Sequence, residues 1–345
     1  MSPLRDPVES RADEERDLDG VATWEVTSVF DRFWVGCYSL LVSSARAFLV
    51  LLGLFILGLQ VFAGALAGPE VAVFTLLSIV PALALASYVW YADVTTSEPL
   101  SLLAVTFVLA VLFAGFAAVL NTGTNVALQT LGLATGFVGF VFQILTFFVV
   151  VGPVEETVKL LAVYLYAFRS SRFDAVVDGA VYGAVAGLGF ATIENAIYIS
   201  GSVQGISDPL NLVAQGSTIT AVRALAGPGH VIYSAFAGYY LGLAKFNPDR
   251  AGPIIVKGLL IAALIHATYN ALAGVVPALV ADQLGVPWFV AFVGFVVGYD
   301  GIFGLVLLAK LTRYRRVYRD VHGDGRDRGP ASTAGPAPER TEFDP

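Results

Sequence analysis

The sequence has few charged residues and almost no cysteine, and each shortage excludes a class of protein. Asp, Glu, Lys and Arg make up only 14% of the 345 residues, whereas they make up about a quarter of a soluble globular domain. Hydrophobic residues account for 57%, and the mean hydropathy is +0.74. Cys37 is the single cysteine, which excludes a disulfide within the chain. The N-terminal stretch RDPVESRADEERDLDG is charged, so it lacks the apolar core of a secretory signal peptide.

Long apolar runs take the place of charge in this sequence. A membrane-spanning helix needs about 20 mainly apolar residues, and several runs reach that length. We therefore predict an all-α polytopic helix bundle in the cell membrane. Its transmembrane helices, about eight in number, are expected at about 45–67, 71–91, 100–120, 138–168, 174–200, 219–245, 254–276 and 288–311. A re-entrant segment within 121–141 is the main alternative to a simple outer loop.

Basic residues indicate the side of the membrane on which each loop lies. Lys and Arg are absent from four of the loops, 68–70, 121–137, 201–218 and 277–287. The other side carries Arg169, Arg172, Lys245, Arg250, Lys310, Arg313, Arg315, Arg316 and Arg319. Because cytoplasmic loops have an excess of Lys and Arg, this distribution predicts that both termini are cytoplasmic.

The chain divides into a membrane domain and two tails. Residues 1–44 are predicted to be a cytoplasmic tail with an interfacial helix, because the apolar residues of VTSVFDRFWVGCYSLL fall on one helical face. The same stretch also fits a pre-membrane turn of the first span. Residues 45–312 form the predicted transmembrane domain, and 313–345 form a disordered cytoplasmic tail. The extreme ends, 1–20 and 320–345, are acidic and rich in Gly and Pro, which is typical of disorder.

Ionisable side chains interrupt the predicted spans, although each costs about 2.5–3.5 kcal/mol at mid-depth and is therefore a candidate for function. They are Glu155, Glu156 and Lys159 in the fourth helix, Glu194 in the fifth, Arg223 and His230 in the sixth, and His266 in the seventh, accompanied by Asn195 and Asn270. Lys159 is within helical reach of both glutamates. Adjacent residues point about 100° apart, so one glutamate can face a reaction site while Lys159 holds the other. A purely structural salt bridge is the alternative.

Two chemistries use such a set of side chains. Glu and His can bind Zn²⁺ and leave one position for water. A buried glutamate can instead activate water directly, while His and Asn stabilise the oxyanion. Either chemistry gives a hydrolase that works inside the membrane. The sequence contains neither His-Glu-x-x-His nor Gly-x-Ser-x-Gly, so a zincin helix and a serine nucleophile elbow are not indicated.

Taken in order, the motifs that carry these residues resemble the PrsW family of intramembrane proteases. They are EETVK (155–159), GFATIEN (189–195), RALAGPGH (223–230) and HATYN (266–270), with SEPL (97–100) and DGAVYG (178–183) as further points of similarity. The resemblance covers about 71–312. The chain is also distantly similar to the CAAX-protease and bacteriocin-processing Abi family, in which a histidine occupies the position of Glu194.

The resemblance implies an intramembrane endopeptidase that cleaves membrane-protein substrates, such as anti-sigma factors or other single-pass proteins. The residues assigned to catalysis are Glu155, Glu156, His230 and His266, with Glu155 favoured as the group that activates water or binds the metal. The supporting residues are Lys159, Glu194, Asn195, Arg223 and Asn270. If a metal is used, Zn²⁺ is expected, with the ligands Glu155, Glu194, His230 and His266. A metal-free mechanism with a glutamate-activated water is the alternative.

A different class of function also fits the buried ionisable residues. In a proton-coupled transporter or channel, the Glu and His side chains would relay protons. A third hypothesis is a non-catalytic scaffold protein that keeps the fold of the family. The expected partners are a membrane-protein substrate and the lipid bilayer, and no nucleic acid is expected. The sequence does not indicate the cleavage site or the oligomeric state.

Overall fold

The computed structural model describes residues 18–19, 23–62, 68–95 and 98–323. This part of the chain contains eleven α-helices: α1 (Val29–Phe62), α2 (Pro69–Ser78), α3 (Val80–Tyr91), α4 (Leu100–Thr130), α5 (Gly136–Thr146), α6 (Gly152–Leu165), α7 (Val176–Val203), α8 (Pro209–Lys245), α9 (Ala251–Leu272), α10 (Val275–Leu284) and α11 (Trp288–Gly323). The described residues contain no strand, and only an isolated bridge joins Asp19 to Thr23. Most of the two predicted disordered ends lies outside the described residues.

Six helical segments of the described chain are long and apolar enough to cross a bilayer: α1, α4, the continuous run Gly136–Arg169, α7, Pro248–Leu272 and α11. Helices α2 and α3 meet at a bend of 45° and give a seventh span if they cross together. Helix α8 has 37 residues, but Arg223, His230 and its Gly and Ser residues lower its apolar character. The prediction of an all-α polytopic membrane bundle is confirmed. The count of eight spans and the cytoplasmic side of both termini stay predictions.

Helix boundaries differ from the predicted ones in several places. Helix α8 begins at Pro209 rather than at 219, and α10 (Val275–Leu284) occupies most of the predicted loop 277–287. The predicted interfacial helix and first span form one helix, α1, because the joining residues LLVSSARA contain no Pro or Gly to interrupt it. Helix α4 continues to Thr130 and α5 begins at Gly136, so the predicted outer loop 121–137 is mostly helical. The alternative of a re-entrant segment there stays a prediction. Helix α11 continues to Gly323, into the segment 313–345 that we predicted to be disordered.

Helix α7 is the central helix of the bundle, and glycine allows its close contact with α8. Its residues are buried along almost the whole length. Gly179, Gly183 and Gly187 face α8, and a Cβ atom at any of them would clash with a backbone carbonyl oxygen of that helix. Small residues at every fourth position let two membrane helices approach to backbone contact. This contact brings the polar residues of α7 and α8 to one level.

Helix α6 enters the bundle after an irregular turn. Residues Phe147–Val151 form a π-helical turn between α5 and α6, immediately before Gly152 and Pro153. Proline has no backbone N–H to donate and its ring crowds the preceding turn, so the local widening of the helix accommodates it. A Cβ at Gly152 would lie 2.6 Å from the Ala263 carbonyl oxygen, which shows how closely α6 approaches α9. The two glutamates that follow therefore face α9.

Candidate functional site

Four helices bring together the ionisable residues that the sequence analysis selected. Helix α6 carries Glu155, Glu156 and Lys159, α7 carries Glu194 and Asn195, α8 carries Arg223 and His230, and α9 carries His266 and Asn270. Three of these residues are partly exposed, Glu194, Arg223 and Asn270, and the others are buried. Because isolated charges are costly inside a membrane, the contacts between them decide which groups are neutralised and which remain available.

Both carboxylate oxygens of Glu156 have hydrogen-bond partners. Its Oε1 accepts a hydrogen bond from Lys159 Nζ at 2.6 Å and lies 2.9 Å from His266 Nδ1. Its Oε2 accepts a hydrogen bond from Ser234 Oγ at 3.3 Å. The side chain has no exposed surface. With both oxygens engaged and an ammonium beside it, Glu156 is fitted to hold its neighbours in place.

Glu155 has one free oxygen. Its Oε1 accepts a hydrogen bond from Asn121 Nδ2 at 2.9 Å. Its Oε2 is buried, has no hydrogen-bond donor among the described residues, and lies 3.6 Å from His266 Nε2. A buried carboxylate oxygen without a donor is costly, so this atom needs a proton, a water or a cation.

The hydrogen-bond partners determine where the imidazole protons lie. Glu156 can only accept, so His266 carries its proton on Nδ1 and its Nε2 lone pair faces Glu155. Lys159 Nζ lies 2.9 Å from His230 Nδ1 and can only donate, so the neutral His230 carries its proton on Nε2. That nitrogen lies 2.8 Å from Glu194 Oε2 and donates to it. Glu156 and Lys159 therefore place the imidazole protons on different nitrogens, Nδ1 in His266 and Nε2 in His230.

Glu194 belongs to a second, partly exposed group of contacts. Arg223 Nη2 donates to its Oε2, and His230 Nε2 approaches the same oxygen. Arg223 Nε donates to Asn195 Oδ1 at 2.8 Å, and Asn195 Nδ2 donates to Ser78 Oγ at 2.9 Å. The carboxylate of Glu194 is thus neutralised by a guanidinium, which leaves it less available than Glu155.

The donor set fits a divalent metal in part. Glu155, His230 and His266 each offer a ligand atom, and these atoms lie within 4.8 Å of one another. Two histidines and one glutamate are a donor set that catalytic zinc sites use. Glu155 Oε2 and His266 Nε2 have free lone pairs as they stand, whereas His230 would have to give up its contact with Glu194 to bind through Nε2. Glu194, the fourth predicted ligand, is not in this group of three.

A cavity of about 520 Å³ gives access to these residues. Its lining includes Glu155, Glu194, Arg223, His230, His266 and Asn270, but Glu156, Lys159 and Asn195 are not part of it. The lining also includes the polar side chains of Asn121, Thr122, Asn125 and Gln143. Pockets of 300–1,000 Å³ take small ligands or a few residues of a chain. Glu155 therefore lines a cavity large enough to admit a short peptide segment.

Three residues of the site were not selected by the sequence analysis. Asn121 contacts Glu155, Ser234 contacts Glu156, and Ser78 supports Asn195. Asn121 was assigned to an outer loop, and the two serines carry no charge that would mark them in a membrane helix. The repeat of Asn at 121 and 125, one helical turn apart, is the signal that points to a polar face on α4.

Comparisons with known proteins identify relatives of this chain. Residues 98–298 match the family described as PrsW family intramembrane metalloprotease. The chain is 30% identical to Protease PrsW of Halalkalibacterium halodurans over 196 residues, which cover 56% of this chain and 80% of the relative. It is 31% identical to Protease PrsW of Geobacillus kaustophilus over 200 residues, 57% of this chain and 79% of the relative. No solved structure matches. The family match begins at residue 98, later than the 71 that the resemblance suggested.

Proposed function

The chain belongs to the PrsW family of intramembrane metalloproteases, and from this membership we propose that Glu155 is the catalytic carboxylate of its protease site. The protein is a multi-pass membrane protease that acts on membrane proteins. The family comparisons do not favour a proton-coupled transporter. As substrates we propose single-pass membrane proteins, anti-sigma factors among them, because this is what the family resemblance implies.

One observation carries the assignment of Glu155. Its Oε2 is buried, lacks a donor, and faces the unprotonated Nε2 of His266 at 3.6 Å. A water molecule at this position would donate one hydrogen to the carboxylate and one to the imidazole. Glu155 then takes the proton as the water attacks the scissile carbonyl, and it can return that proton to the leaving amine. Glu156 and Lys159 act by fixing the two imidazoles.

The remaining cavity residues act on the substrate carbonyl and on metal binding. In the metal-free mechanism, His230 Nε2–H and the Arg223 guanidinium, which donate to Glu194 in the structure, line the cavity with Glu155 and are the donors that we assign to a developing oxyanion. In the metal-dependent alternative we propose Zn²⁺, held by Glu155, His230 and His266, with His230 Nε2 deprotonated and released from Glu194. When bound there, it supplies Lewis-acid polarisation of the carbonyl and makes water more acidic. Asn195 and Asn270 complete the support of Arg223 and of the cavity wall.

The assignment of Glu155 is tested by comparing two isosteric variants of adjacent residues. Glu155→Gln should lower cleavage of a tagged single-pass substrate by roughly 10²–10⁴-fold, because an amide cannot take a proton. Its unfolding temperature in detergent should not fall, because the lost charge has no ionic partner on the free oxygen. Glu156→Gln should unfold at a clearly lower temperature, since breaking a buried ion pair costs about 3–5 kcal/mol.

Two results would contradict the assignment. Substantial cleavage by folded Glu155→Gln would exclude this side chain as the base. Equal loss of activity and equal stability in both variants would remove the distinction between the two glutamates.

Zinc is tested separately by elemental analysis of the purified protein. His266→Ala should bind less zinc than the wild type, and the absence of stoichiometric zinc in active wild-type protein would leave the glutamate-activated water as the mechanism.

A further inference from the structure

A second cluster of carboxylates lies at the opposite end of α7 from the protease site. Asp93 follows α3, Glu98 precedes α4, and Asp178 lies in the first turn of α7. Each offers an oxygen, and these oxygens lie within 4.8 Å of one another. Asp178 and Glu194 are 16 positions apart on α7, which corresponds to about 24 Å along the helix. The cluster is therefore separate from the groups that surround Glu155.

Hydrogen bonds hold each carboxylate of this cluster, Asp93 and Glu98 through one oxygen and Asp178 through both, since Asp178 Oδ1 also accepts from Thr95 Oγ1 at 3.4 Å. Asp178 Oδ2 accepts hydrogen bonds from the backbone N–H groups of Asp174 and Ala175 at 2.7 and 2.8 Å. Asp93 Oδ1 accepts from the backbone and hydroxyl of Thr95, and Glu98 Oε2 accepts from the Tyr182 hydroxyl. These contacts fix the three side chains close to one another.

Glu98 carries the observation that points to a ligand. It is only 2% exposed, and its Oε1 has no hydrogen-bond donor among the described residues. Asp93 Oδ2 is also buried and without a donor. Burying a charged oxygen without a partner is strongly unfavourable, so these two atoms require a proton, a water or a cation.

Among the described residues, no lysine or arginine forms an ion pair with Asp93, Glu98 or Asp178. Lys245 interacts electrostatically with Asp178, Asp174 and Glu98. Its Nζ donates to the carbonyl oxygens of Phe168 and Ser170 at 2.7 and 3.1 Å. Burial raises the pKa of Glu98 to about 8, and Asp178 and Asp93 add to this effect. A bound cation would displace that proton.

We propose that Asp93, Glu98 and Asp178 bind a hard divalent cation, Mg²⁺ or Ca²⁺. An all-oxygen carboxylate set selects these ions rather than zinc, which takes nitrogen and sulfur ligands as well. Oxygens on one Ca²⁺ lie up to about 4.6–5.2 Å apart, twice the metal–oxygen distance, and the spacing of the cluster falls inside this limit. The ion ties the α3–α4 connection to the start of α7, the helix that carries Glu194 at its other end.

Cation binding is tested on the full-length protein after treatment with EDTA. Mg²⁺ and Ca²⁺ are titrated separately while tryptophan fluorescence follows thermal unfolding and calorimetry follows binding. An ion that binds only the folded protein raises the unfolding temperature. Glu98→Gln should weaken binding by roughly tenfold or more, because it removes a charged ligand, and it should fold because the amide resembles the protonated acid. Asp93→Asn, at a less buried position, should weaken binding in the same direction.

Two controls separate this site from the protease site. Asp282→Asn removes an exposed carboxylate on α10 and should leave the response to both ions unchanged. His266→Ala should also keep the response, even though it should lose zinc and cleavage. The proposal is wrong if neither ion shifts the unfolding of the wild type, which would leave a proton or a water as the occupant. It is equally wrong if Glu98→Gln and Asp93→Asn respond like the wild type. Neither outcome affects the assignment of Glu155.

Discussion

Glu155 and Glu156 are neighbours in the sequence, but their side chains have opposite surroundings. Helical geometry separates adjacent side chains by about 100°, and this alone predicts that only one of them can face Lys159 well. Lys159 is within helical reach of both glutamates, and the structure pairs it with Glu156 at i,i+3. The choice depends on His266 and Ser234, which come from other helices and surround Glu156. Sequence spacing could not supply that information.

Asn121 is a positioning residue that acts through Glu155. Its amide donates to Glu155 Oε1 and leaves Oε2 directed at His266. Asn121→Ala should lower kcat roughly 10–100-fold, as losses of supporting hydrogen bonds in such sites do, with little change in KM. Asn121→Gln, which keeps a donor, should recover part of kcat. The measurement is steady-state cleavage of a tagged substrate together with the unfolding temperature.

Asn125→Ala is the matched control for this prediction, because Asn125 lines the same cavity one turn farther along α4. It should change KM more than kcat if it touches only the substrate. Equal effects of the two alanine variants on kcat would show that Asn121 has no special role toward Glu155.

The sequence analysis placed Asn121 in an outer loop, and the stretch NTGTN contains poor helix formers. In the structure α4 continues through this stretch to Thr130.

Among the helices, α7 and α8 show how backbone contact positions the site. A Cβ atom at Gly187 of α7 would clash with the carbonyl oxygen of His230 and lie 2.9 Å from Val231 Cα. The spacing of Gly179, Gly183 and Gly187 predicts close packing from the sequence alone. It does not identify the partner helix, since Gly238/Gly242 and Gly294/Gly298 have the same spacing. Only the former pair faces α7 closely.

Gly187→Ala should therefore disturb the site through α8. Overpacking of this kind typically costs about 1–3 kcal/mol, and the displaced backbone carries His230. We expect a lower unfolding temperature and a loss of cleavage larger than the loss of stability explains. Gly294→Ala is the control, because Gly294 is exposed and a Cβ there has no neighbour within 4 Å. That substitution should be neutral or slightly stabilising. Identical behaviour of the two variants would refute this account of the α7–α8 contact.

The bundle as a whole has an outer helix that composition does not distinguish from the inner ones. Helix α1 is as apolar as the helices of the core, yet most of its side chains are exposed and it packs chiefly on α4, where Gly53 meets Leu112 and Ile56 meets Gly115. Hydropathy reports that a segment prefers lipid or protein to water. It does not report which of the two covers the segment, so the place of α1 in the bundle was not predictable. The family match also begins after α3.

The orientation of the molecule decides from which side a substrate reaches Glu155. The cavity is lined by Asn121 and Asn125 near the end of α4 and by Gly274 and Trp288 beyond the end of α9. These residues lie at the loops without Lys or Arg, which the positive-inside rule places outside the cytoplasm. We therefore expect the cavity to open toward the outer side of the membrane.

Cysteine labelling in intact cells tests this orientation after Cys37 is replaced by serine. Ser202→Cys and Gln283→Cys, at exposed positions of two outer loops, should react with a membrane-impermeant maleimide, and Ser171→Cys should react only after the cells are permeabilised. Asn125→Cys should behave like the outer positions, because it is exposed and lines the cavity. Labelling of Ser171→Cys in intact cells would contradict the cytoplasmic placement of that loop. If Asn125→Cys reacts only in permeabilised cells while Ser202→Cys reacts in intact ones, the topology holds but the substrate must enter the cavity from within the bilayer or from the cytoplasm.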